Sequence, residues 1–374
     1  MRVLQINSIF SAGGVDTQTL ELCRGLMERG VEVALAIRGA AGMRSQARRL
    51  TGLTVHALPE SRVAFARGAA RVIRRWAPQI VHAHHGRDYW PAILASRFAR
   101  RGSRVVVSRH LMGRNRLITR WGLLHCADMV AVSDAVRDLQ AASLHGPRAR
   151  LHRVYGGIDT SRFQPVGAAA GAVAKARFGW SVDAVVFAVL GFFHPPRGKG
   201  QMEFLRAAAS LYEGCRDARF LIVGAGDLLP RMQEFIAGHG LEGVARIEGW
   251  QSDVMSVLAG VDVVVYPAID PEALPVVPWE ALAAGIPVIA SRVGGLGEAF
   301  VQAQHGLFVP PADVPALTAA MHTLAEDAAV RRRYGASGRE YVLAERSTAS
   351  YAARMLALYD AVLRHSRDAV IGCG

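Results

Sequence analysis

The sequence predicts an α/β protein of two doubly wound domains, each a parallel sheet with helices on both faces. Three observations carry that expectation. Apolar, β-branched runs alternate with segments of helical period along nearly the whole chain. The 374 residues are 51% hydrophobic, enough for two cores of ordinary size. A Pro-, Gly- and Ala-rich stretch from Gln164 to Ala176 separates one series of runs from the next. Strands covered on both faces read as unbroken apolar runs rather than alternating ones, which is the pattern here.

In the first half, strands are expected at Val3–Asn7, Val31–Ile37, Leu53–Leu58, Ile80–His84, Val105–Ser108, Met129–Val132 and Leu151–Tyr155. The second half repeats the scheme at Val185–Gly191, Phe220–Gly224, Ala245–Glu248, Asp262–Tyr266, Pro287–Ala290 and Leu307–Val309. The expected domains are therefore 1–163 and 183–346, joined by a linker at 164–182. Between Ser350 and Arg364, the residues Tyr351, Met355, Leu358 and Val362 fall at helical spacing, so 347–374 reads as a terminal helix and tail packing back across the domains. In doubly wound sheets ligands collect at the carboxyl ends of the strands; here that means a cleft between the domains.

Cys23, Cys126, Cys215 and Cys373 are scattered, without CxxC spacing or disulfide density, which suits a reducing, cytoplasmic setting. The opening residues read as a strand rather than a signal peptide, and the longest apolar stretch, Ala184 to Phe193, is far short of a membrane span. A soluble chain, peripheral at a membrane if associated with one at all, is expected. Charge is uneven. Residues 1–162 hold 26 Arg, no Lys and 10 acids, a net +16, while residues 163–374 hold 16 Arg, 2 Lys and 21 acids, a net −3. The basic half fits an anionic partner, and equally a solubilising Arg-rich surface. Within it, Arg62 to Trp76 sets Phe65, Ala69, Val72 and Trp76 on one helical stripe and Arg67, Arg71 and Arg74 on another. Such a helix can lie on an anionic membrane or pack with a solvated Arg face.

The chemistry concentrates after the strand Asp262–Tyr266. Glu272 falls on the loop and Glu280 early in the next helix, which Gly285 and Pro287 terminate. The amides of Val276 and Val277 open that helix, where backbone N–H groups can meet a phosphate. One carboxylate can face a sugar while the other accepts from ribose hydroxyls. A helix-dipole acid and an ordinary loop acid would give the same spacing. Lys199 is one of only two lysines beside 42 arginines, and it sits between Gly198 and Gly200. A compact ammonium there can act as a point-charge phosphate ligand, a task for which Arg is not an equal substitute.

Taken in order, these motifs resemble glycosyltransferase family 4. Glu272 and Glu280 are followed by Ala281-Leu-Ala-Ala-Gly-Ile-Pro-Val288 and by Gly294-Gly-Leu-Gly-Glu298. The resemblance extends to Gly13-Gly14, Ile80-Val-His-Ala-His84, Val132-Ser-Asp-Ala-Val136, Tyr155-Gly-Gly-Ile-Asp159, Lys199-Gly200 and Leu221-Ile-Val-Gly-Ala-Gly226. It implies the GT-B fold, two Rossmann-like domains facing a cleft, and a retaining transfer from a nucleotide diphosphate sugar that needs no metal or other cofactor. It assigns Glu280 to the ribose, Val276 and Val277 to the diphosphate, Glu272 to the donor sugar, His110 to the donor sugar or diphosphate, and Gly13 and Gly14 to close approach of the donor phosphate.

Three departures stand out. Phe192 occupies the position where the family carries an arginine, the loop from Phe193 is about one residue longer and offers Arg197 instead, and Gly156-Gly157 replaces Asn-Gly. Gly224-Ala-Gly226 lacks the third glycine of a dinucleotide fingerprint, and Gly198-Lys199 lacks the upstream glycine of a P-loop. His82, His84 and His85 have no convergent metal ligands, so no metal is assigned. With the basic half, the expected acceptor is lipid-linked, lipopolysaccharide-type or another anionic glycan, and no nucleic-acid partner is expected. A sugar-nucleotide epimerase and a non-catalytic sugar- or lipid-binding relative would share the fold.

Overall fold

The computed structural model describes residues 1–9, 13–38, 50–113 and 115–371, with side chains through residue 364. The chain divides into two compact units, Met1–Ile158 with Arg346–Gly374, and Asp159–Glu345.

The first unit runs β1 (Arg2–Asn7), α1 (Gly14–Glu28), β2 (Glu32–Arg38), β3 (Thr54–Leu58), α2 (Arg62–Trp76), β4 (Ile80–Ala83), α3 (Tyr89–Ala99), β5 (Arg104–Arg109), α4 (Leu117–Cys126), β6 (Asp128–Ala131), α5 (Asp134–Ser143) and β7 (Leu151–Arg153). The sheet order is β3-β2-β1-β4-β5-β6-β7, every pair parallel. Winding reverses between β1 and β4, where Val3 faces Ile80 and Ile6 faces Ala83. Loops diverge at such a reversal, leaving a crevice at the strand carboxyl ends.

The second unit runs α6 (Ala168–Arg177), β8 (Val185–Leu190), α7 (Gln201–Gly214), β9 (Ala218–Val223), α8 (Leu229–Gly238), β10 (Ala245–Glu248), α9 (Val254–Leu258), β11 (Val263–Tyr266), α10 (Val277–Ala283), β12 (Val288–Ser291), β13 (Gly306–Val309), α11 (Val314–Glu326) and α12 (Ala328–Glu345). Its parallel sheet has the order β10-β9-β8-β11-β12-β13 and reverses between β8 and β11. All six residues of β8, Val-Val-Phe-Ala-Val-Leu, are buried, as a central strand covered on both faces requires. Helix starts are set by local chemistry: Ser133 Oγ accepts from Val136 N at 3.2 Å, and Asp313 Oδ1 from Ala316 N at 2.9 Å.

Each expected strand is present within a residue or two of its expected bounds. The expected linker is different, because it contains α6. Its Ala-rich sequence favours helix, and Lys175 pins it to the second unit by an ion pair to Asp262 at 2.8 Å and a bond to the Ala184 carbonyl at 2.7 Å. The second lysine is thus structural. After α12 the chain returns to the first unit as α13 (Thr348–Ile371). Tyr351, Met355, Leu358, Tyr359 and Val362 of α13 bury against Val3, Leu22, Cys23 and Leu26.

Candidate functional site

At the reversal of the second sheet, the loops after β8 and β11 meet. Gly200 has φ +84°, and a Cβ there would lie 2.0 Å from the Pro267 carbonyl oxygen, so only glycine lets the two backbones touch. That contact sets Lys199 against Glu272: Nζ to Oε1 is 2.5 Å. Two residues earlier on each loop, Arg197 Nη1 lies 3.5 Å from Asp270 Oδ1. The sequence reading gave Lys199 to a diphosphate and Glu272 to a sugar; in the structure the two pair with each other. Both are partly exposed, and ion pairs of that kind contribute only about 0–1 kcal/mol, so a phosphate can displace the carboxylate at little cost.

The Glu272 backbone is fixed from a third side. Gly295 N donates to the Glu272 carbonyl at 2.7 Å, and Gly294 bridges Glu272 in parallel. Gly294 has φ +52°, and a Cβ on it would come within 2.5 Å of the Glu272 oxygen. Below the carboxylate, burial and secondarily the charge of Glu272 push the Tyr266 hydroxyl well above its ordinary value, so it stays protonated. Glu280 is buried in the first turn of α10, whose opening N–H groups at Val276 and Val277 have no intrahelical acceptors. Trp279 anchors this turn through Nε1 to the Ala299 carbonyl at 2.8 Å.

Where a family arginine is expected, Phe192 stacks on Trp250 at 5.0 Å between ring centroids and on His194 at 5.7 Å. Positive charge on this loop therefore comes from Arg197 and Lys199. Gly156-Gly157 has a packing role: Gln18 holds both the N–H and the carbonyl of Gly157, at 3.0 and 2.7 Å, and a Cβ on Gly157 would meet the Ser347 carbonyl at 2.7 Å.

At the reversal of the first sheet lies a second polar cluster. Asn7 Nδ2 donates to Asp16 Oδ1 at 3.1 Å, and Gly13 N to Asp16 Oδ2 at 3.3 Å, which fixes the start of α1. Among the described residues, a Cβ on Gly14 would meet no atom within 4 Å beyond its own helix and chain neighbours. His110 follows β5, and its Nε2 lies 3.4 Å from His84 Nδ1; His84 Nε2 lies 2.7 Å from Gln5 Oε1. Burial, with His85 and Arg109 nearby, brings His110 down to about 4. Burial, with His110 nearby, brings His82 down to about 3, and His84 is lowered well below its ordinary value. All three are neutral at pH 7.

The Arg67, Arg71 and Arg74 stripe is exposed, whereas Phe65, Ala69 and Ile73 are buried and Val72 and Trp76 pack against the same core. The apolar face of α2 is therefore spent on the fold, and this helix offers a membrane charge alone. Sequence reasoning missed Gln5, Asn7, Asp16, Asp270 and Tyr359. The alternation His82-Ala-His84 was a usable signal for one face of β4; Tyr359 lies 277 residues from His82 and nothing local announces it.

The family model described as Glycosyltransferase Family 4 matches residues 12–162, and that described as Glycosyl transferases group 1 matches residues 184–327. A GDP-mannose-dependent alpha-(1-6)-phosphatidylinositol monomannoside mannosyltransferase of Mycolicibacterium smegmatis is 32% identical over 225 residues, 58% of each chain, so the match spans little more than half of that relative. A 2-deoxystreptamine glucosyltransferase of Streptomyces kanamyceticus is 25% identical over 94% of this chain and 100% of its own. Among solved structures, HepE of Anabaena in complex with UDP and glucose superposes with a TM-score of 0.84 at 16% identity, covering 96% of this chain and 100% of that one. The two matched stretches fall one in each parallel-sheet unit and together span most of the chain, which belongs to the GT-B glycosyltransferases.

Proposed function

We propose that the chain transfers a sugar, with retention of anomeric configuration, from a nucleotide diphosphate donor to a lipid-linked, lipopolysaccharide-type or other anionic glycan acceptor. The observation that carries the proposal is the Lys199–Glu272 pair at 2.5 Å, held between two converging loops beside the start of α10. In this reading the donor diphosphate takes the Lys199 ammonium and the Val276 and Val277 amides. Arg197 adds charge from the rim, and Glu280 holds the ribose. Glu272, released from Lys199, turns to the sugar. Negative charge grows on the departing diphosphate in the transition state, so fixed positive donors act where a metal ion would otherwise be needed.

Gly13, Gly14 and His110 are assigned donor contacts by the family resemblance. Among the described residues nothing would meet a Cβ on Gly14, so a donor phosphate could approach its backbone. The acceptor reading rests on the +16 carried by residues 1–162. The relatives do not decide it, because one acts on a phosphatidylinositol mannoside and the other on 2-deoxystreptamine. Among the described residues no helix is long and apolar enough to cross a membrane, and the attachment proposed here is peripheral, through the basic surface of residues 1–162.

A thermal-shift screen of nucleotide sugars identifies the donor, since a ligand of the native state raises its apparent stability. With that donor, Lys199→Met and Glu272→Gln are each expected to lower kcat/KM by about 10²–10³-fold, the usual cost of removing one charge-stabilising group. Unchanged transfer and donor hydrolysis in Glu272→Gln would favour a binding protein, and an epimerised donor without transfer product would favour an epimerase.

A further inference from the structure

The polar cluster of the first unit is a continuous chain of hydrogen bonds, and its proton order follows from the orientation of the Gln5 amide. Gln5 Nε2 donates to the Tyr359 hydroxyl at 3.3 Å. That hydroxyl, having accepted, sends its own proton to His82 Nδ1 at 2.6 Å, and His82 then donates through Nε2 to Ser108 Oγ at 2.8 Å. The other half of the Gln5 amide, Oε1, can only accept, so His84 must donate to it through Nε2, which leaves His84 Nδ1 as an acceptor. The neighbour of His84 Nδ1 is His110 Nε2 at 3.4 Å, which is therefore the protonated nitrogen of His110. No partner of His110 Nδ1 exists among the described residues.

The groups involved are well placed to hold one arrangement. Gln5, His82 and Tyr359 are fully buried and His84 nearly so. Burial keeps the histidines neutral and the Tyr359 hydroxyl protonated, so each link has one proton to give and the chain transmits its order instead of averaging it. The amide is the switch: rotating Gln5 by half a turn would reverse every donor and acceptor as far as His110.

We propose that Tyr359 of α13, acting through Gln5 and His84, is a positioning residue that holds His110 in its Nε2–H tautomer and leaves Nδ1 free to accept a hydrogen bond from a sugar hydroxyl. The relay rests on the structure of the first unit, while its use on a sugar rests on the function proposed above. It gives the closing helix, remote in sequence from every motif of the site, a part in the chemistry beyond packing. A histidine in the opposite tautomer would present an N–H to that hydroxyl and could bond only to its oxygen.

The test is nitrogen-15 NMR of the histidine rings in the full chain without ligand, near pH 7. Wild-type His110 is expected as one species protonated on Nε2. Tyr359→Phe frees the Gln5 amide to turn, and the Nδ1–H form of His110 is expected to rise from under about a tenth to about half of the population. Tyr351→Phe makes the same chemical change on the same helix outside the relay and is expected to leave His110 as in the wild type, which controls for simple loss of packing. A wild-type His110 protonated on Nδ1, or an unchanged tautomer in a folded Tyr359→Phe chain, would overturn the relay. The sugar contact stands apart: His110→Ala with undiminished donor turnover would remove that role even if the tautomer followed Tyr359.

Discussion

At the scale of single residues, glycines separate what the fold needs from what a ligand needs. Gly294 sits at φ +52° with Glu272 backbone atoms where a Cβ would go, so Gly294→Ala must move the loop that carries Glu272. The expected cost is about 1–3 kcal/mol in urea denaturation, with donor affinity falling further than stability explains. Gly14→Ala meets no atom of the described residues beyond its own helix, so stability should stay within about 0.5 kcal/mol while donor affinity drops. A Gly14→Ala chain that binds donor as well as wild type would remove Gly14 from the site. Phe192 shows the same separation from another side. Its stack with Trp250 makes it an integral part of the loop, so the loss of an arginine there is a change of surface chemistry and leaves Lys199 as the central cation.

At the scale of elements, the sequence was legible where burial writes a local pattern. Thirteen strands could be placed because each is an apolar run flanked by turn residues, and the Glu272 to Glu280 segment could be placed because Gly285 and Pro287 end its helix. Helix α6 was read as linker because the stretch is Pro-, Gly- and Ala-rich with few large apolar residues, and in the structure Ala174 is the helix's one buried residue. What stayed hidden were pairings made by topology. Lys199 and Glu272 are 73 residues apart, and no pattern on either loop announces that the other is 2.5 Å away. Helix α13 was expected from its spacing and read as packing back across the domains; its apolar face belongs to the core of the first unit, against α1. Its anchor is Met355, fully buried among Leu22, Cys23 and Leu26. Met355→Ala should cost about 2–5 kcal/mol, seen as a lowered urea midpoint. Hydrogen exchange in that variant should rise in β1, α1 and α13 and stay near wild type in β8 to β13, since the two units have separate cores.

At the scale of the whole molecule, charge and protonation divide the chain unevenly. The exposed Arg67, Arg71 and Arg74 stripe belongs to the half that carries +16, and its helix has no apolar face left to insert. Sedimentation with vesicles of an anionic phospholipid is therefore expected to weaken steeply as salt rises and to fall when the three arginines become glutamine. Equal binding to neutral vesicles would remove the electrostatic attachment.

Acid should act on the first unit before the second. His82 and His110 are held neutral by burial, with folded-state values near 3 and 4, and His84 is lowered further than its ordinary range. In the unfolded chain each titrates near 6.5, so between about pH 6.5 and pH 4 the unfolded state binds more protons than the folded one and stability falls as pH falls. Asp88 works in the opposite sense, since burial raises its carboxyl and protonation then favours the fold, but it does so from an ordinary value of 3.8 and is felt mainly at the bottom of this range. In the second unit, among the described residues, burial lowers His305 as a single histidine rather than as part of a cluster. Hydrogen exchange at pH 7 and pH 4.5 should therefore show protection lost first in β1, β4 and β5, with β8 and β11 retained. Simultaneous loss in both sheets would mean that the histidine cluster does not govern acid stability.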